Sequence, residues 1–216
     1  QISRSLKRVK KMENKKILYI GGTYDQNSGL DSLPFITKRI DALNSFPVNP
    51  QNVFFKISYK KLLFRILKSK HKILKFSTSK ERISKKTFGN FNYNEITVKC
   101  GIYDFLFRSE LYKAYNKAFF KTIKSTDFDL IHAHFSYPEG YLARIISKKL
   151  KIPYIISLHG SDIHTLPHRS KNLKKEILES LENAKKCIFV SDHLRKQAIE
   201  IGYSDKNSVV IPNGYD

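Results

Sequence analysis

The sequence predicts an α/β domain of the Rossmann-like type, with a mainly parallel sheet and helices on both faces. Apolar runs of strand length alternate with longer stretches of helical period along its 216 residues. Polar and glycine-rich groups follow several of the strand-like runs, as is typical of the carboxyl ends of parallel strands. A hydrophobic content of 41% suits one globular domain, and the chain is too short for a second of that size.

The first elements follow in βα order. The run KILYIGG at 16–22 predicts a strand, and an amphipathic segment from about 30 to 45 predicts a helix. The loop GGTYDQNSG joins them, with Asn27 or Ser28 as the helix cap and Gly29 allowing a tight entry. Backbone amides at such a helix start could receive an anion.

The region between residues 50 and 110 has the weakest pattern. We expect a strand at 52–58, a basic helix from 59 to about 75, a polar connection at 77–94 and a strand at 95–100. Because this region matches only a general βα order, its connections are the least constrained part of the expected fold.

The second half repeats the βα pattern with clearer boundaries. Strands are expected in FDLIHAHF, IPYIISLHG, KCIFVS and SVVIP, which start at residues 128, 152, 186 and 208. Helices are expected at 109–125, 141–150, about 170–185 and 191–202. Ser191 is expected to cap the last of these helices and Gly202 to close it.

Composition limits the class of protein but leaves its partners open. The 40 Lys and Arg against 19 Asp and Glu give a net charge of +21, which suits an anionic partner such as a phospholipid surface or a nucleic acid. The lysine-rich usage of an AT-rich genome would give the same charge without any such partner. No run of about 18 uncharged apolar residues and no signal-peptide pattern occurs, so we expect a cytoplasmic protein, with a peripheral position at the inner face of the cell membrane as an alternative.

Several chemistries lack support in the sequence. Cys100 and Cys187 lie in apolar runs without metal-ligand spacing, so we expect reduced core thiols. Asp127 and Asp129 form the Asp-x-Asp pattern of metal-using sugar transferases, but they precede a strand and are therefore expected at the wrong end of the sheet. Dehydrogenase, NTPase, hydrolase and zinc-protease motifs are absent from the sequence.

Four strand ends carry groups suited to a binding site. They are Gly21-Gly22-Thr23, His132-Ala133-His134, His159-Gly160-Ser161-Asp162 and Ser191-Asp192-His193. Because the carboxyl ends of parallel strands meet at one edge, a single crevice could collect them.

The histidines of this set are expected to differ in role. Strand alternation sends His132 and His134 to the same face, but only His134 reaches the strand mouth, so His132 is interpreted as structural. His164 and His168 fall in a polar loop and are expected to be solvated.

Two long runs carry a family resemblance. FDLIHAHFSYPEGYLARIISKKLKIPYIISLHGSDIH and KCIFVSDHLRKQAIEIGYSDKNSVVIPNGYD together resemble the N-terminal, acceptor-side domain of family-4 retaining glycosyltransferases, which adopt the GT-B fold. The marks are strand-His-x-His, strand-His-Gly-x-Asp, a VS helix opening, the glycine that ends this helix, and the closing IPNG. The resemblance is clear over residues 128–216, weaker over 15–45, and only general over 50–110.

The resemblance implies an activity and a domain organisation. It implies transfer of a glycosyl group from a nucleotide sugar to a hydroxyl with retained configuration, without a metal or other cofactor. Residues 1–14 would be a basic tail, with a natural start at Met12, 15–211 the acceptor-side domain, and 212–216 the start of an interdomain hinge. A C-terminal domain would bind most of the nucleotide sugar, so the 216-residue piece alone is expected to be inactive. The acceptor would be a glycan or a lipid-linked glycan of cell-surface polysaccharide or glycolipid synthesis.

The resemblance also assigns site residues. His134 would orient the acceptor or the reacting sugar and is the catalytic candidate. The expected substrate-binding residues are Gly21, Gly22, Thr23, Ser28 and Gly29 on one side of the crevice and His159, Gly160 and Asp162 on the other.

A basic segment, residues 56–86, suggests a further partner. It contains twelve Lys or Arg and only Glu81 as an acid, and its apolar residues can share a helix face. This pattern predicts either docking on an anionic membrane or a surface helix packed on its own sheet. The alternative function is a standalone module that binds nucleotide, nucleic acid or membrane without catalysis. Nucleic acid is not expected, because helix-turn-helix, RNP-type and zinc-finger signatures are absent from the sequence.

Overall fold

The computed structural model describes residues 15–23, 34–43, 45–59, 80–88, 90–100, 116–121, 123 and 127–214. Its strands are β1 Lys15–Thr23, β2 Val48–Tyr59, β3 Lys80–Phe88, β4 Phe91–Cys100, β5 Leu130–His134, β6 Tyr154–Leu158, β7 Lys186–Phe189 and β8 Ser208–Val210. They form one sheet in the order β3-β4-β2-β1-β5-β6-β7-β8. Every neighbouring pair is parallel except β3 and β4, which are antiparallel.

The helices are α1 Pro34–Leu43, α2 Tyr141–Leu150, α3 Ser161–His164, α4 Lys171–Asn183 and α5 Asp192–Glu200. Residues 116–121 are also helical. A wide helical turn over Ser136–Gly140 follows β5, and a tight one over Leu166–Arg169 follows α3.

The helices cover both faces of the sheet. Alternate strand residues point to opposite faces. Ala133 and Ile156 lie in the larger core cluster with side chains of α2, α4 and α5, whereas Tyr19 lies in a smaller cluster with Ile36 of α1. The predicted Rossmann-like class is therefore confirmed.

The predicted polar connection at 77–94 is wrong, because these residues contribute two strands. Residues 80–88 form β3, and residues 91–94 begin β4. The pair is held by polar contacts across the strands, including Thr87 Oγ1 donating to Asn92 Oδ1 at 2.8 Å and a 2.8 Å ion pair between Lys86 and Glu95. An edge strand need not bury an apolar face, so the sequence lacks the alternation that predicts a strand.

Other predictions in the middle of the chain are only partly covered. The strand expected at 52–58 is longer at both ends, because β2 runs over Val48–Tyr59. The basic helix expected from 59 to about 75 lies outside the described residues apart from Tyr59, which ends β2. Among the described residues, no helix has the length and apolar character needed to cross a bilayer.

The two acids of the Asp-x-Asp pattern lie at the amino end of the sheet. Asp129 accepts from Lys15 Nζ at 2.5 Å and from the Lys16 backbone N–H at 2.9 Å, at the start of β1. Asp127 forms a 2.6 Å ion pair with Lys16. Their interpretation as a helix-to-strand connection, away from the carboxyl ends of the strands, is confirmed.

Two local predictions in the C-terminal half, the helix cap at Ser191 and the buried thiol of Cys187, are confirmed. Ser191 caps α5, since its hydroxyl accepts from the Leu194 N–H at 3.1 Å. Cys187 is a buried free thiol, while the side chain of Cys100 lies outside the described residues.

The order in which strands are added to the sheet reverses at β1. From β1 the chain crosses over α1 to β2 on one side, and β5 pairs with β1 on the other. Such a switch point opens a crevice at the carboxyl ends of the two central strands. The fold therefore places the ends of β1, β5 and β6 where a ligand would enter.

Candidate functional site

Aromatic and imidazole rings stack at the carboxyl ends of β1, β5 and β6. The ring centroids of Tyr19 and His132 are 4.7 Å apart, those of His132 and His134 4.7 Å, and those of His134 and His159 5.3 Å. The strand register places these residues together, since Tyr19 pairs with His132 and His134 pairs with Ser157. We call Tyr19, His132, His134 and His159 the histidine stack.

His132 has the contacts of a structural residue. Its Nδ1 lies 2.8 Å from the Tyr19 hydroxyl, and its Nε2 lies 2.8 Å from the Ser157 hydroxyl. Burial, aided by the charge of Arg39, lowers the pKa of His132 to about 3. The neutral His132 imidazole uses both nitrogens to hydrogen-bond β1 and β6 to β5, which supports the interpretation of His132 as a structural residue.

His134 presents a ring nitrogen without a hydrogen bond. Its side chain is fully buried, and its Nδ1 lies 3.1 Å from His159 Nε2. Its Nε2 is buried and has no hydrogen-bond partner within the part of the chain that the structure describes. Burial, together with the neighbouring imidazoles and Arg39, holds the pKa of His134 well below its usual range. An unsatisfied buried nitrogen is unusual in proteins and calls for an explanation, such as a catalytic role or a bound group that supplies the partner.

His159 completes the stack from β6. Burial and the nearby Arg39 charge lower its pKa to about 3, so it too is neutral near pH 7. Two neutral imidazoles in contact must have one donor and one acceptor between them. The structure thus brings together the two histidines that the sequence assigned to opposite sides of one crevice.

Asp162 faces inward and binds backbone amides. Its Oδ1 accepts from the N–H groups of Gly160 at 2.9 Å and His159 at 3.2 Å, and its Oδ2 accepts from the Ser136 N–H at 2.9 Å. Burial raises the pKa of this carboxyl, and the amide hydrogen bonds oppose that effect. These contacts fix the loops after β5 and β6 relative to one another, so Asp162 positions His159, and its contact with substrate stays a prediction.

Gly160 and His164 lie next to each other in the loop after β6. The φ of Gly160 is +140°, which L side chains rarely adopt, and a Cβ there would lie 3.2 Å from His164 Nε2. Glycine is therefore required by the turn itself. His164 and His168 are exposed, as expected, but they lie in α3 and in the helical turn Leu166–Arg169, so the predicted loop is wrong.

Gly21 and Gly22 belong to β1, as the strand predicted at 16–22 requires, and not to the connecting loop GGTYDQNSG. They pair with Phe54 and Phe55 of β2. Their missing side chains leave room for the protein itself, since a Cβ on Gly21 would lie 2.6 Å from the Phe54 ring and a Cβ on Gly22 would lie 1.9 Å from Glu139 Oε1. Thr23 ends the strand, and only its backbone is described. Ser28 and Gly29 lie outside the described residues.

Two charged residues near the stack were missed by the sequence analysis. Arg39 of α1 donates to Ser157 Oγ at 3.0 Å and to Asn213 Oδ1 at 3.1 Å. Glu139 is fully buried in the turn after β5 and lies against Gly22. Only the position of Glu139 directly after a strand end gave a signal in the sequence, because Arg39 reaches the site from the middle of a helix.

Fold and site together define the class. A doubly wound sheet with neutral histidines at its switch point is a Rossmann-like domain, a class that binds its ligands at the carboxyl ends of the strands. The family model for Glycosyltransferase Family 4 matches residues 85–216, more than half of the chain. The chain belongs to glycosyltransferase family 4, and the family resemblance noted in the sequence is confirmed.

A curated relative has substantial identity. TuaC of Bacillus subtilis (strain 168), whose name assigns it to teichuronic acid biosynthesis as a glycosyltransferase, is 39% identical over 99 residues. The match covers 45% of this chain and 25% of TuaC.

Solved structures of low identity share the fold. An α,α-trehalose-phosphate synthase (UDP-forming) from Burkholderia xenovorans superposes with a TM-score of 0.56 and 9% identity over 93% of this chain and 50% of that one. HepE from Anabaena, in complex with UDP and glucose, superposes with a TM-score of 0.54 and 17% identity, over 94% of this chain and 45% of HepE. The chain spans about half the length of each of these two structures and a quarter of TuaC.

Proposed function

We propose that this chain is the acceptor-side domain of a retaining glycosyltransferase, which transfers a glycosyl group from a nucleotide sugar to a hydroxyl. The observation that supports this most is the buried, unpartnered Nε2 of His134 at the switch point of a family-4 domain. His134 is covered in the present arrangement, so the crevice has to open for substrate to reach it.

In the proposed reaction His134 orients a reactant and is not the base. Its lowered pKa makes its imidazole a weak base, but the neutral ring can still form one hydrogen bond to a sugar or acceptor hydroxyl through Nε2. The bond from the acceptor oxygen to the anomeric carbon forms as the bond from that carbon to the phosphate oxygen breaks. The acceptor proton passes to the departing phosphate of the nucleotide, and no metal is required for that balance.

The remaining parts of the reaction are assigned to the rest of the protein. The nucleotide sugar would bind mostly to a second domain, because HepE, of which this chain spans 45%, is described with UDP and glucose. The name of TuaC favours cell-surface polysaccharide synthesis, with a glycan or lipid-linked glycan as acceptor. We therefore expect the 216-residue chain alone to be inactive.

The test is glycosyl transfer by the full-length protein with a panel of nucleotide sugars, with and without EDTA. We expect EDTA-resistant turnover that His134→Ala lowers at least about a hundredfold, because a lost positioning contact in the transition state has effects of that order. His164→Ala, an exposed histidine on the neighbouring loop, is the matched control and should leave turnover unchanged. A well-folded full-length protein that binds nucleotide without any turnover would favour the standalone binding module instead.

We further propose that the full-length protein docks on anionic membranes through residues 56–86. The support is the density of Lys and Arg in this segment and the net charge of +21. Flotation with phosphatidylglycerol vesicles should carry the protein upward, and Lys60→Glu with Lys61→Glu should weaken this association. Flotation that does not depend on anionic lipid would contradict the proposal.

A further inference from the structure

Arg39 is a half-buried cation whose described contacts are all to neutral groups. Its two terminal nitrogens donate to the Ser157 hydroxyl at 3.0 Å and the Asn213 side-chain oxygen at 3.1 Å. No described residue forms an ion pair with it. The contrast is with Arg144, bound by Glu176 and Glu179, and with Arg195, bound by Asp192 and Asp205.

The described surroundings of Arg39 do not supply a counter-charge either, since Glu139, the other charged residue near the stack, lies against Gly22. Burial, with a smaller contribution from the Arg39 charge, lowers the pKa values of His132, His134 and His159, so the histidine stack beside Arg39 is neutral. Asp162 lies near the stack, but its carboxylate accepts from three backbone amides. Burial also lowers the pKa of Arg39 itself, which reflects the cost of holding this charge partly out of water.

The remaining donors of Arg39 have a geometry suited to an anion. A guanidinium has five N–H donors in a planar fork that matches a carboxylate or a phosphate. The described residues accept only two of these hydrogen bonds, and Ser157, one of the acceptors, also contacts His132 of the stack. An anionic group bound at Arg39 would therefore lie beside the candidate crevice.

We propose that Arg39 selects an acceptor sugar that carries an anionic oxygen group, a carboxylate or a phosphate. This inference rests on the proposed glycosyltransferase function. It assigns Arg39 to specificity, with the histidine stack orienting the reacting hydroxyl.

The test uses the full-length protein and three sugars that differ only at C6. D-glucose, D-glucuronate and glucose 6-phosphate present a hydroxymethyl group, a carboxylate and a phosphate, and their affinities can be measured by calorimetry or ligand-observed NMR. We expect at least one of the anions to bind about tenfold or more tightly than glucose, because charge-assisted hydrogen bonds to arginine have that magnitude. Arg39→Gln should remove the preference, so that glucose and the two anions bind with similar affinity, whereas the exposed Arg169→Gln should keep it.

The outcomes separate this inference from the proposed function. No preference for either anion, or a preference that survives in a folded Arg39→Gln protein, would overturn it. UDP is a fourth probe, and an effect of Arg39→Gln on UDP alone would overturn the acceptor assignment in favour of the donor diphosphate. An anion preference that depends on Arg39, in a protein without transferase activity, would support the anion site and refute the proposed function. Transfer that depends on His134, without any anion preference, would support the proposed function and refute the anion site.

Discussion

At the scale of single residues, the candidate site is distinguished by buried, neutral histidines. His132 and His134 lie among rings and hydroxyls, and burial is the first cause of their lowered pKa values. A neutral ring can accept or donate a hydrogen bond without bringing a charge into the crevice. The same property makes the domain sensitive to acid.

The free energy of unfolding should fall as the pH drops from about 6.5 towards 3. The unfolded chain protonates its histidines near pH 6.5, whereas folded His132 has a pKa of about 3, so the unfolded state binds more protons in this window. For His132 alone the loss between pH 7.5 and 5 is about 2 kcal/mol. Urea unfolding at several pH values should show His132→Gln losing about that much less than wild type over the same range. Equal pH slopes for the two proteins would contradict the prediction, and His168→Gln, at an exposed position, should match wild type.

Asp162 should be worth more to stability than its place in a loop suggests. Its removal leaves the amides of Ser136, His159 and Gly160 without an acceptor in a buried place. Asp162→Ala should therefore lower the free energy of unfolding by about 2–4 kcal/mol. Ser161→Ala at the exposed neighbouring position is the control, and a similar small effect from both substitutions would show that the hydrogen bonds contribute little.

The sequence predicted some of these residues and not others for a physical reason. His134 and His159 end strands, and strand ends meet at one edge, so their proximity follows from the topology. Arg39 approaches from a helix, and Glu139 approaches Gly22 from a turn, so their positions depend on how those elements pack. Packing of that kind has no local signature in the sequence.

At the scale of elements, the end of β1 is shaped by the turn after β5. Gly22 leaves the space that the Glu139 carboxylate occupies. Both glycines belong to the strand and not to the connecting loop GGTYDQNSG, so they allow close packing between elements.

Gly22→Ala should lower the free energy of unfolding by about 1–3 kcal/mol, because the new Cβ would overlap Glu139 Oε1 and one of the two must move. Gly214→Ala is the control, since a Cβ there meets nothing within 4 Å. Adding Glu139→Ala to each protein gives a double-mutant cycle measured by urea unfolding. Additive effects would mean that the contact between Gly22 and Glu139 does not limit the packing.

The β3–β4 pair shows which elements a sequence hides. The buried parallel strands β5 and β6 lie within the apolar runs FDLIHAHF and IPYIISLHG that predicted them. The edge strand β3 is mostly polar, with even Ile83 exposed at 40%, so its sequence is that of a loop. Residues 80–88 form a strand because they pair with β4, and this pairing has no signal in their own sequence.

At the scale of the whole molecule, the sheet has two chemically different ends. The carboxyl end holds the histidine stack, Arg39 and Asp162, while the amino end holds solvent-exposed pairs of Lys15 and Lys16 with Asp129 and Asp127. In doubly wound sheets, ligands bind in the crevice outside the carboxyl ends of the strands. The end of the sheet at which an Asp-x-Asp pattern lies therefore decides whether it can take part in catalysis, and the presence of the pattern alone does not.

This polarity can be tested by changing both ends in the full-length protein. Asp127→Ala with Asp129→Ala should leave transferase activity within about threefold of wild type, with or without EDTA, because exposed ion pairs contribute little and lie far from the crevice. His134→Ala at the other end should abolish most of the activity in the same assay. If the double aspartate variant instead lost activity as severely as His134→Ala, and Mn²⁺ stimulated the wild type, the transfer would depend on a metal held at the amino end. The proposed placement of the reaction at the carboxyl ends of β1, β5 and β6 would then be wrong.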